Sequence, residues 1–208
     1  MRQRGLLVTF EGIDGSGKST ALRAVAQQLR AAGHDAREHA EPTPTWLGES
    51  VRRALREHAN PWSVALLFMA DHAEHVLAVE RELAEGALVL SDRWSDSTFA
   101  YQGAVLGTPA FDAVRWLRET ERAFDRAPDL TLLFDLPVEE ALRRVGARGQ
   151  AIEAFERRDL LEKVRANYLR LAKEEPRRFV GLDAAGAPDA VARDAARHVL
   201  DRASSRQA

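Results

Sequence analysis

The chain of 208 residues contains no cysteine. Disulfides, thiolate metal sites and cysteine nucleophiles are therefore excluded together. Lysine is nearly missing as well: Lys18, Lys163 and Lys173 are the only three, and every other basic residue is arginine. A lysine inside a recognisable motif thus carries unusual weight here. Asparagine occurs only as Asn60 and Asn167, followed by Pro61 and Tyr168, so no guanine-reading N-K-x-D motif exists. The longest apolar run, Val64 to Ala70, covers seven residues, against the ~20 that a membrane-spanning helix requires. Residues 1–10 hold arginines but no apolar segment ending in a small-residue cleavage site, so no secretory signal is expected. Nor is there an excess of either charge: 30 basic residues face 32 acidic ones, a formal net charge of −2. That is not the footprint of a protein that coats nucleic acid with its whole surface. With 45% hydrophobic and 30% charged residues, the expectation is a soluble, cytoplasmic, single-domain globular protein.

What is present alternates short apolar runs with longer amphipathic ones. Leu6–Phe10 reads as a buried strand and Ala21–Leu29 as the helix after a glycine-rich turn. A weaker strand fits 34–40, ending at Pro42 and Pro44, and helices are predicted over 46–58 and 61–85. Ala87–Leu90 and Asp129–Phe134 are further strands, with a last short one around 178–182. Helical patterns cover about 110–125, 138–147, 158–174 and 188–203. Strands separated by helical crossovers imply an α/β fold, a parallel sheet with helices on both faces.

Gly12-Ile13-Asp14-Gly15-Ser16-Gly17-Lys18-Ser19 matches G-x-x-x-x-G-K-[ST] in full, between an apolar strand and a helical pattern. Glycines let successive backbone N–H groups curl around phosphate oxygens at a helix N-terminus. Lys18 reaches the β- and γ-phosphates in this arrangement, and the Ser19 hydroxyl serves Mg²⁺. The motif makes this a P-loop nucleoside triphosphate site. A second feature narrows the chemistry. Val89-Leu90-Ser91 ends in Asp92, followed at once by Arg93. An acid at the carboxyl end of a parallel strand serves Mg²⁺, and the next arginine grips a second phosphate in the same crevice. That pairing suggests phosphoryl transfer onto a bound acceptor.

These residues resemble thymidylate kinases, a family of P-loop nucleoside monophosphate kinases, across nearly the whole chain. Phe10 to Thr20 is similar to the family's opening, and Asp92-Arg93 with Ser97-Thr98-Phe99-Ala100-Tyr101-Gln102-Gly103 to its D-R…S-x-x-A-Y-Q-G segment. Glu41-Pro42 with Thr45, Gly48-Glu49 and Arg52 resembles its E-P-G-G-T…G-E…R stretch. The resemblance implies a five-stranded P-loop fold in one domain over 1–208 with a short lid at about 146–158, and a homodimer. It implies transfer from ATP to a deoxynucleoside monophosphate, dTMP to dTDP, with Mg²⁺ held by Ser19 and Asp92. ATP binding falls to Gly12, Ile13, Asp14, Gly15, Ser16, Gly17, Lys18, Ser19 and Thr20, with lid-side Arg144 and Arg148. Lys18, Arg93, Arg148 and Asp14 take the catalytic roles; Gly15 stands where one subclass has a basic residue, so the transition-state arginine is assigned to the lid. The acceptor side comprises Asp14, Glu41, Pro42, Phe68, His72, Arg93, Ser97, Thr98, Tyr101 and Gln102, with Phe68 stacking on the base.

Departures concentrate on that acceptor side. Ala40 precedes Glu41 where the family commonly has arginine, Thr43-Pro44 replaces a glycine pair, and Gly149-Gln150-Ala151-Ile152-Glu153 lacks the expected D-R-x-E lid pattern. His72, four positions after Phe68, stands where the family usually has an arginine facing the thymine edge. The expectation is a base contact that strengthens as His72 protonates, so that acceptor affinity improves at low pH. Asp71, His72, Glu74 and His75 could also be read as a metal cluster, although a polar helix face is the simpler reading. Two alternatives stay open: a deoxynucleoside kinase, with Glu41 as the base for a sugar 5′-hydroxyl, and a nucleotide-binding protein with weakened catalysis.

Overall fold

The computed structural model describes residues 4–146 and 154–205. In chain order the elements are β1 (Leu6–Glu11), α1 (Lys18–Ala31), β2 (Ala36–Ala40), α2 (Trp46–Arg56), α3 (Pro61–Ala84), β3 (Leu88–Asp92) and α4 (Ser95–Leu106). Then come α5 (Ala113–Glu121), β4 (Leu130–Asp135), α6 (Val138–Gly146), α7 (Ala154–Glu174), β5 (Phe179–Asp183) and α8 (Pro188–Ser205). The five strands form one sheet in the order β2-β3-β1-β4-β5, all parallel. This is the α/β architecture of a P-loop kinase.

β1, the central strand, is buried along its whole length, as its largely apolar run requires when helices cover both faces. Phe10 stacks on Phe134 of β4 with ring centroids 5.8 Å apart, inside the large core that also takes Leu22 and Val25 of α1 and Val199 of α8. Leu7 and Val89 point to the other face and pack with Val76, Val79 and Leu83 of α3 and with Trp94. Register places Phe10, Ala40 and Asp92 side by side at the carboxyl ends of β1, β2 and β3. Ligands of open parallel sheets bind at this edge, where the strand order reverses.

One helix departs from the sequence reading. α4 carries much of the acceptor-side segment, yet no helical pattern was predicted there. Nine of its twelve residues, from Ser95 to Leu106, are buried. Helix prediction needs an exposed polar stripe opposite an apolar one. This helix has none, being covered by α5 on one side and α7 on another, with buried Asp96 paired to Arg178 at 2.6 Å. Among the described residues no helix is long and apolar enough to cross a membrane.

Candidate active site

The loop from Gly12 to Gly17 leaves β1 and enters α1 with Gly12, Gly15 and Gly17 all at positive φ. A Cβ on Gly12 would stand 2.6 Å from the Phe134 carbonyl oxygen, and one on Gly15 2.7 Å from that of Ala141. Gly15 therefore has neither the backbone conformation nor the room for a longer side chain. Lys18 begins α1, and its Nζ lies 3.5 Å from the Ile13 carbonyl oxygen. Burial, followed by the nearby Arg93 charge, lowers its pKa to about 8. A bound polyphosphate would restore the ammonium form. The loop opens into a cavity of about 400 Å³ lined by Gly15, Ser16, Gly17, Thr20 and Arg144, with Ala184, Gly186 and Asp189 beyond. Arg144 is held there by Glu140 Oε1 at 2.7 Å and the Ala184 carbonyl at 3.0 Å. Arg148 and most of the expected lid lie outside the described residues.

Ser19 Oγ donates to Asp92 Oδ2 across the mouth of the P-loop. The other oxygen, Asp92 Oδ1, and the Ser16 hydroxyl are buried with no hydrogen-bond partner among the described residues. Orphaned oxygens at a phosphate site suit a ligand that supplies the missing partner.

Arg93 follows with φ of 75°, a left-handed conformation that a long side chain adopts only under constraint. Its N–H donates to the Phe10 carbonyl at 3.1 Å, and its guanidinium donates to Ser97 Oγ at 3.0 Å and to Asp14 Oδ1 at 2.6 Å. The guanidinium carbon lies 4.8 Å from the centre of the Tyr101 ring. Tyr101 in turn accepts the Asp14 backbone N–H through its hydroxyl at 3.1 Å. Behind this group sits Glu11, fully buried, accepting from Trp94 N at 2.8 Å, Ser97 Oγ at 2.6 Å and Tyr168 Oη at 2.9 Å. Burial, then the Asp96 charge, raises its pKa to about 8. Sequence reading quoted Glu11 within the motif but assigned it no role, and it missed Tyr168 altogether. Only their meeting across three elements reveals them as the support of Arg93.

A second cavity, of about 310 Å³, is lined by Asp14, Glu41, Pro42, Phe68, Arg93, Ser97, Thr98, Tyr101 and Gln102, joined by Leu55. Leu55 carried no sequence signal. His72 is the acceptor-side residue that does not line it, and that expectation is corrected. The ring has no exposed surface and sits between Glu41 Oε1 at 2.8 Å and Asp125 Oδ1 at 2.9 Å, edge-on to Trp94. His72 lies one helical turn beyond Phe68 on α3, but its two ring nitrogens are taken by Glu41 and Asp125. Low-pH strengthening of a His72–base contact accordingly has no structural basis.

His75 also donates to this carboxylate, its Nδ1 lying 2.8 Å from Glu41 Oε1. Burial alone would raise the Glu41 pKa, but the charge and hydrogen bonds of His72, then those of His75, lower it to about 2. A carboxylate engaged by two imidazoles and held below its usual range is a weaker proton acceptor, which argues against Glu41 as the base of a deoxynucleoside kinase.

Comparison with known proteins agrees with this geometry. The thymidylate kinase family model matches residues 10–195. The chain is 48% identical over 189 residues to a probable thymidylate kinase of Methanoculleus marisnigri, covering 90% of this chain and 91% of that protein. A probable thymidylate kinase of Methanococcoides burtonii is 43% identical over 185 residues, 86% and 89% of the two chains. One of Natronomonas pharaonis is 42% identical over 188 residues, 89% and 93% of the two. With a family match over nearly its full length and a phosphate loop facing an arginine-gated second cavity, the chain belongs to the thymidylate kinase family, ATP-using enzymes that phosphorylate dTMP to dTDP.

Proposed function

We propose that this chain transfers the γ-phosphoryl group of ATP to dTMP, with the donor on the P-loop and the acceptor in the 310 Å³ cavity. The observation that carries the reading is the division of labour between the last residue of β3 and the one that follows it. Asp92 turns toward Ser19 and the donor loop, while Arg93 turns into the second cavity. Donor and acceptor phosphates would then meet between them.

In this reading the P-loop N–H groups and Lys18 bind the β- and γ-phosphates. Ser19 and Asp92 offer hard oxygen ligands, and the unpartnered Asp92 Oδ1 fits a divalent cation such as Mg²⁺. When bound, that ion would neutralise phosphate charge. Arg93, pre-oriented by Ser97 and Asp14, holds the acceptor phosphate. An anionic phosphate oxygen is already a nucleophile, so no general base is required. Asp14 and Tyr101 flank the sugar, Phe68 stacks on the base, and Thr98 and Gln102 read its edge. Arg144, with Arg148 from the lid, balances charge developing on the transferred group. Homodimeric assembly and a cytoplasmic setting complete the proposal.

A coupled assay with ATP against thymidine and the deoxynucleoside monophosphates tests it. Fastest turnover of dTMP is expected. Turnover of thymidine without dTMP would favour the sugar kinase alternative, and turnover of neither would favour a nucleotide-binding protein without catalysis.

A further inference from the structure

Three histidines and three carboxylates form one hydrogen-bonded chain that runs from the protein surface to the wall of the acceptor cavity. Its order is Asp125–His72–Glu41–His75–His39–Glu82, with successive links of 2.9, 2.8, 2.8, 3.0 and 2.9 Å. Donor and acceptor counting fixes the role of His72. Carboxylates accept while ionised, and both ring nitrogens of His72 face carboxylate oxygens, so this ring donates twice and is an imidazolium. The pair His75 and His39 share one contact between themselves and present their outer nitrogens to Glu41 and Glu82. The Trp94 indole packs against both inner rings, with centroids 4.6 Å from His72 and 4.9 Å from His75. Neither ring can turn without displacing it.

Glu41 is the midpoint. Its Oε1 receives Nδ1–H from His72 and from His75, while no hydrogen bond to its other oxygen occurs among the described residues. The side chain nevertheless lines the acceptor cavity beside Phe68 and Gln102. We propose that His72 and His75, with His39 behind them, are positioning residues that fix one oxygen of Glu41 from the rear and present the other to an N–H or O–H donor of the acceptor nucleotide. The base imide N–H and the sugar 3′-hydroxyl are the two sources of that donor. This inference rests on the cavity being the acceptor site.

The depressed Glu41 pKa fits a carboxylate that accepts at any ordinary pH. His72 agrees from the other side: burial opposes its charge, yet Glu41 and Asp125 hold its pKa well above the usual histidine value.

The test measures KM and kcat for dTMP, its N3-methyl derivative and its 3′-deoxy derivative, in wild type, Glu41→Gln, His75→Asn and His75→Leu. Glu41→Gln should raise the dTMP KM about tenfold or more, the scale of a lost charge-assisted hydrogen bond, with a much smaller change in kcat. That penalty should vanish for whichever derivative lacks the contacted donor, which identifies base or sugar. His75→Asn replaces Nδ1–H by an amide N–H and should stay near the wild-type KM, whereas His75→Leu should approach that of Glu41→Gln. A Glu41→Gln penalty that is absent, or equal for all three acceptors, would overturn the proposal, as would indistinguishable KM values for the two His75 variants. If His75→Leu does not fold, ring ¹⁵N spectra of the wild type at about pH 8 decide instead. An imidazolium pattern at His72, with His72 and His75 signals moving on dTMP addition, supports the inference; a neutral, unresponsive His72 overturns it. Absence of dTMP turnover in the wild type would strike the acceptor assignment itself rather than the histidines.

Discussion

The donor and acceptor ends of this site are built by different means. In the proposed reading the donor end is a run of eight residues that binds mainly through its backbone, with glycines at positive φ and side chains supplied by Lys18 and Ser19. The acceptor end draws side chains from the P-loop, the segments just after β2 and β3, and helices α2, α3 and α4. A backbone site tolerates little change but asks nothing of distant residues. A side-chain site can be retuned, because its members are held by residues such as Glu11 and Trp94 that never face the substrate. Most of this chain's departures from its family's usual pattern, at Ala40, Thr43, Pro44 and His72, border the second end without lining its cavity, and one more, at 149–153, falls in the expected lid.

Four substitutions sharpen or break that contrast. Lys18→Met keeps the stem and removes the ammonium from the phosphates, so kcat/KM should fall by roughly a thousandfold or more with the fold intact. Wild-type-like turnover in a folded variant would remove Lys18 from the donor end. Arg93→Ala should lower kcat/KM by about a hundredfold, through both a higher dTMP KM and a lower kcat, since positioning and charge are lost together. An unchanged dTMP KM would move Arg93 off the acceptor. Glu121, at the back of the acceptor end, is fully buried with neither oxygen hydrogen-bonded among the described residues. Burial raises its pKa from 4.5 to about 8. The folded protein thus holds a proton that the unfolded chain releases, so stability is greatest below pH 4.5 for this group and declines as pH rises toward about 8. Glu121→Gln should flatten part of that decline and stabilise the fold at pH 8 by about 1–3 kcal/mol, seen as a Tm several degrees higher. Glu11, shifted in the same direction, retains the remainder of the slope. A lower Tm at pH 8 would contradict the assigned protonation. Tyr101→Phe deletes a hydroxyl that the Asp14 N–H and Arg93 share. It should raise the dTMP KM by about fivefold with little effect on that for ATP, the scale of one neutral hydrogen bond. Equal effects on both substrates would place Tyr101 between the sites.

The same contrast governs what could be read from the residues alone. The P-loop was legible in full because its function is written in contiguous positions with fixed geometry. The central strands were legible because a parallel sheet covered on both faces needs largely apolar runs, and Leu6–Phe10, Ala87–Leu90 and Asp129–Phe134 supply them, whereas edge strands β2 and β5 alternate buried and exposed residues and read more weakly. α4 was not, because burial on nearly every side erases helical periodicity. His72 misled for a related reason. Spacing of four from Phe68 correctly puts both on one side of α3, but spacing cannot show that Glu41, thirty-one residues earlier, lies over that side. The helix face was readable and its neighbour was not. Glu11, Leu55 and Tyr168 belong with these misses, since each matters only through partners distant in sequence.

The central claim is that two separate phosphate sites meet at Asp92 and Arg93. Calorimetric titration of a non-hydrolysable ATP analogue and of dTMP, each into wild type, Lys18→Met and Arg93→Ala, tests it most directly. The account predicts a crossed pattern: Lys18→Met weakens the ATP analogue by at least about tenfold and leaves dTMP near its wild-type Kd, while Arg93→Ala does the reverse. Parallel losses of both ligands in either variant would contradict it.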